Sequence, residues 1–72
     1  MNLDKEIWEG WTARDFIKEL EPEIEVIMSG RGYRKPFATK AELAEYCRFN
    51  QPYYKKTVPE VVKYFAKKYG IK

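Results

Sequence analysis

The chain has no histidine and a single cysteine, Cys47. Without an imidazole there is no histidine base, no triad of the usual kind and no histidine metal ligand. One thiol cannot assemble a structural zinc site. Nor can it close an intramolecular disulfide, so a reducing, cytoplasmic setting is expected. No apolar run approaches the roughly 18 residues of a membrane span. The opening stretch MNLDKEIWEG mixes charges from the start and has no apolar core segment, so a signal peptide is not expected. Low-complexity tracts and repeats of solenoid length are also missing.

Three partial chemical signals dissolve on inspection. Gly30-Arg31-Gly32 is too short to cradle a phosphate and is followed by no lysine–serine or lysine–threonine pair. Glu19, Glu21, Glu23 and Glu25 show none of the spacing of a calcium loop, and the i, i+4 pair Glu21 and Glu25 reads as a solvated helix face. Cys47 falls on an apolar stripe, where a thiol is a small core side chain rather than a nucleophile. The chain is therefore expected to be no enzyme and to need no metal or cofactor.

What is present is enough for one folded domain. Of 72 residues, 44% are hydrophobic and 17% aromatic. A chain of this size buries only about 60% of its unfolded surface, which demands an economical core. Charge is divided unevenly along it. Residues 1–28 hold eight acids and three bases, a net −5, while residues 29–72 hold eleven bases and three acids, a net +8. Asymmetry of this kind points to nucleic acid, membrane or acidic partners.

The patterning predicts an acidic N-terminal arm over 1–11, carrying Trp8 and Trp11, and a single helical domain over 12–72. Thr12 with Asp15 reads as a capping box. Phe16, Ile17, Leu20, Ile24 and Ile27 keep helical spacing as far as Gly30, with a kink or two short helices expected at Pro22. A strand over "IEVIMSG" is the rival reading. Residues 29–37 form a loop rich in glycine and base. Thr39 and Glu42 start the next helix, whose stripe is Leu43, Ala44 and Cys47 and which runs to about Arg48. Asn50 and Pro52 open a short helix, and Thr57, Pro59 and Glu60 cap the last one, which buries Val58, Val61, Val62, Phe65 and Tyr69. The expected fold class is all-α, a compact bundle of about four or five short helices.

Residues 43–58, "LAEYCRFNQPYYKKTV", resemble the helix-turn-helix DNA-binding motif. Leu43 and Ala44 match its first helix, Cys47 and Phe49 its later apolar positions, and Tyr54 the inward residue of its second helix. Arg48 stands where glycine is usual, and Pro59 would leave the second helix short. The resemblance implies a second helix in the major groove. Asn50 and Gln51 would then face base edges, since an amide pairs with two adenine positions at once. Arg48, Lys55, Lys56 and Tyr53 would meet phosphates, with Arg31, Arg34 and Lys35 on the backbone or in the minor groove.

DNA is thus the expected partner of a small regulator or accessory factor, of the kind that serves excision, replication or plasmid maintenance. RNA is a second candidate, with Tyr33, Phe37 and Tyr53 available to stack on unpaired bases. The alternative is a protein-binding module, a phage-like inhibitor or adaptor, that uses Trp8 and Trp11 and no nucleic acid. A membrane surface ranks behind both, because the apolar side of the last helix is needed for the core.

Overall fold

A computed structural model of the chain describes residues 2–48 and 58–72. Among these, two short strands precede three helices: β1 (Glu6–Trp8), β2 (Trp11–Thr12), α1 (Ala13–Ser29), α2 (Lys40–Tyr46) and α3 (Pro59–Tyr69). The expected all-α bundle of four or five helices is therefore corrected to three helices with an antiparallel hairpin. The acidic beginning of the chain supplies that hairpin.

The hairpin exists because its two-residue turn twists the right way. Glu9 and Gly10 both have positive φ, 40° and 85°. Left-handed backbone at both central positions matches the twist of the flanking strands. Glycine takes that geometry freely, and the glutamate is assisted by the Glu6 carboxylate, which accepts the Gly10 N–H at 2.7 Å. Glu6 pairs with Thr12 and Trp8 with Trp11, with a register irregularity between Glu6 and Trp8. An isolated two-stranded ribbon is at best marginal in water. Here it is tied down by the Ala13 and Arg14 N–H groups, which donate to the Lys5 and Leu3 carbonyls, and by Leu3, Ile7 and Trp8 packing on the core. Alternation over three residues is too short a signal to stand out in the sequence.

Thr12 ends β2 and caps α1. Its hydroxyl accepts the Asp15 N–H at 3.3 Å, while the Asp15 carboxylate accepts the Thr12 N–H at 2.8 Å. The capping box is as expected, and so is the C-terminal end, where Gly30 takes a left-handed φ of 81°. Between them a single helix runs through Pro22, so neither two helices nor the rival strand is formed. The proline lies on the exposed side, and Phe16, Ile17, Ile24 and Ile27 on either side of it are buried in one core. Tertiary burial on both flanks offsets the lost backbone bond.

Thr39 caps α2 by accepting the Glu42 N–H at 3.2 Å, and the helix ends at Tyr46, two residues short of Arg48. The N-cap of α3 is Val58, without a side-chain cap bond, followed by Pro59. That moves the start one residue beyond Thr57, which lies outside the described residues. Gly70 ends α3 in left-handed geometry, and the Ile71 N–H reaches back to the Ala66 carbonyl at 2.8 Å. The turn tucks Ile71 into the core.

Helices α1 and α2 both pack on α3. Phe65 is fully enclosed at the centre, with Ile24 from α1, Leu43 and Cys47 from the α2 side, Val61 from its own helix and Val58 from that helix's N-cap. Phe37 closes the core from the loop. Val62 and Tyr69, expected inside, are half-buried at its edge.

Candidate nucleic-acid interface

The loop between α1 and α2 is fixed at both ends by different means. At its start, Ser29 donates its hydroxyl to the Val26 carbonyl at 2.8 Å, and Arg31 Nε donates to the Ser29 Oγ at 2.9 Å. At its end, Phe37 is buried. Between these anchors Tyr33 stands clear of the fold, fully exposed, with Arg31 and Lys35 also exposed on either side.

Arg34 behaves differently from its neighbours. Its guanidinium lies 5.2 Å from the centroids of both the Phe37 and the Tyr46 rings. Those two rings are themselves 5.2 Å apart. A cation so placed is held by the negative faces of the rings. Arg34 therefore fastens the loop to α2, a structural contact that stands beside its expected role on a nucleic-acid backbone. Phe37, expected among the stacking rings, is likewise occupied within the core. Tyr33 is the aromatic of this loop that remains free to stack.

Tyr46 links the acidic and basic halves. Its hydroxyl donates to the Glu23 carboxylate at 3.1 Å, and its pKa is raised, by burial first and by that carboxylate second. A second link joins α3 to α1. Lys68 Nζ donates to Glu21 at 2.6 Å, and the Tyr64 hydroxyl meets the same oxygen at 3.3 Å. The Lys68 hydrogen bond holds the Glu21 carboxyl below its ordinary range, and the same bond raises the Lys68 pKa.

Lys68 is the one base of residues 29–72 found in an ion pair among the described residues. Arg31, Lys35, Lys40, Arg48, Lys63, Lys67 and Lys72 are exposed and unpaired there. Arg48 lies two residues beyond the end of α2, within the region matched to the helix-turn-helix pattern. Asn50, Gln51, Tyr53, Lys55 and Lys56 lie outside the described residues. Helices α2 and α3 do not themselves make a tight helix-turn-helix, since residues 47–58 separate them and the motif allows a turn of only about three or four.

Cys47 is enclosed, and burial pushes its thiol up to about 12, so it carries almost no thiolate at neutral pH. The sequence reading missed Lys40, Lys63 and Lys67 as a group. They lie together along a shallow groove between α2 and α3, and only the fold brings position 40 beside the last helix. No family model, curated protein or solved structure matches the chain.

Proposed function

We propose that this is a small nucleic-acid-binding protein whose partner is duplex DNA, acting as a regulator or accessory factor. One observation carries the reading: among the described residues, every base of the later half except Lys68 is exposed and in no ion pair, although a chain with eleven acids has carboxylates to offer them. Unpaired surface cations repel one another within the fold, and a polyanion relieves that repulsion while releasing its own counterions. Tyr33, projecting between Arg31 and Lys35, adds a ring that stacks on any base that becomes unpaired. The amides of Asn50 and Gln51 are candidates for base contact on the strength of the motif resemblance alone.

The test is a titration of the full chain with duplex and with single-stranded DNA at two salt concentrations, followed through backbone amide signals. Affinity is expected to fall steeply with salt, with responses in residues 31–35, in α3 and in 48–57. Binding that is absent, or insensitive to salt, removes the reading.

A second reading rests on Trp11. Its side chain is 37% exposed and its ring packs 5.3 Å from Phe16, beside a concavity lined by Glu9, Asp15, Lys18 and Glu19. That surface suits a basic protein segment. Trp8 does not share in it, because it is half-buried against the core. Trp11→Ala is expected to leave DNA affinity unchanged, so a lost protein interaction in that variant would favour this alternative.

A further inference from the structure

The groove at the joint of α2 and α3 has a floor of two buried residues, Ala66 and Ile71, and a rim of three lysines, Lys40, Lys63 and Lys67. It encloses about 280 Å³, and among the described residues no carboxylate lines it. Ile71 reaches it through the left-handed Gly70 turn, so the floor is built by the end of α3 folding back on itself. Long lysine stems lie well against an apolar floor while their ammonium groups stay in water.

Two of the three charges are placed against the interest of the fold. Lys63 and Lys67 are four residues apart on one face of α3, where like charges repel. Lys40 is the first residue of α2, the end at which the helix dipole disfavours a cation. Lys67 alone, in the last turn of α3, is favoured by a dipole. None of the three is in an ion pair among the described residues. Elsewhere the protein does neutralise such a charge, as Glu21 does for Lys68. The groove is a place where it does not.

We infer that this groove seats consecutive phosphates of the DNA backbone, with Lys40, Lys63 and Lys67 as point charges along the strand. The inference rests on the nucleic-acid reading above. It adds a binding track at the α2–α3 joint, made of residues other than Arg31 and Lys35 of the loop and those named for the motif resemblance. Ammonium groups on flexible stems suit an oxygen-rich, sequence-independent partner.

The experiment measures anisotropy of a labelled mixed-sequence duplex of about 20 base pairs, across about 50–200 mM salt. It compares the wild type, the triple variant Lys40→Gln/Lys63→Gln/Lys67→Gln, and the loop variant Arg31→Gln/Lys35→Gln. Each phosphate contact contributes about 0.9 to the slope of log affinity against log salt, so the triple variant is expected to flatten it by about 2–3. Its affinity at about 100 mM salt is expected to fall at least tenfold. If the triple variant does not fold by circular dichroism, the three single exposed variants are read instead, and each should weaken binding about threefold.

A folded triple variant with wild-type affinity and slope overturns the groove, while salt-dependent binding by the wild type keeps the broader reading alive. A wild type that binds neither duplex nor single-stranded DNA overturns both. Binding to phosphatidylserine vesicles without binding to DNA overturns the groove as a nucleic-acid track and assigns its charge to a membrane surface.

Discussion

The two halves of the molecule use charge in opposite ways. In the acidic half five of the eight carboxylates are engaged in building the fold. Asp4 pairs with Arg14 at 3.0 Å, Asp15 closes the cap of α1, Glu6 holds the hairpin turn, and Glu21 and Glu23 reach across to α3 and α2. In the basic half Arg34 and Lys68 are engaged in this way, and the other cations among the described residues face water without a carboxylate partner. Net charge alone would treat the halves as mirror images. Most carboxylates of the first half are structural, while most of the described cations of the second are available.

The largest blow to this comparison would come from the arm. If the acidic half is structural, deleting residues 1–9 removes Leu3, Ile7 and Trp8 from the core and costs about 3 kcal/mol. In a domain of this size that lowers the melting temperature by about 15 °C. An unchanged melting temperature would make the arm a free surface and break the contrast.

A middle-sized effect is expected at the start of α1. Thr12→Ala removes the cap and costs about 1 kcal/mol, seen as a drop of about 4–8 °C in thermal denaturation. The same site has a pH signature. The Asp15 pKa is lowered by the Thr12 backbone and hydroxyl, and that of Glu21 by Lys68. A carboxyl whose pKa is depressed by folding stabilises the fold above its ordinary range and loses that contribution as pH falls through the folded value. Stability should therefore decline from about pH 4 downwards, and less steeply in the Thr12 variant. Lys68, whose pKa is raised, contributes below its ordinary range and loses that only in strong alkali, so its titration leaves the neutral range untouched. A melting temperature that is flat from pH 7 to about pH 2 would contradict this assignment.

The smallest change sharpens the comparison instead. Glu21→Gln releases Lys68 from its partner and transfers one cation from the structural set to the available set. A partly exposed pair of this kind contributes little, so the melting temperature should move by no more than a few degrees. Affinity for duplex DNA should rise about twofold, with a slightly steeper salt slope. A fall in affinity would mean that Glu21 belongs to the binding surface.

Most helix ends were readable from the sequence because their signals are local, although α3 starts from Val58 rather than Thr57. Thr12, Asp15, Gly30 and Thr39 act through neighbours within a few residues, and each does what its type and spacing imply. The hairpin was not readable, because three alternating residues look the same in an arm as in a strand. At Pro22 the sequence allowed a kink or a break into two helices: the local cost is real, but burial of residues before and after it, invisible along the chain, carries one helix through. The basic loop was found by composition, yet composition could not tell Arg34, held between two rings, from Arg31 and Lys35. Lys40 was out of reach altogether. It is distant from Lys63 and Lys67 in sequence, and only the packing of α2 on α3 makes them neighbours.

The enclosed thiol has a practical side. Because Cys47 is the sole sulfhydryl and sits where α2 meets α3, no reagent reaches it until that joint parts. Its chemistry is thus a clock for the opening of the seam, and intact molecules kept in air have no ready means of cross-linking to one another.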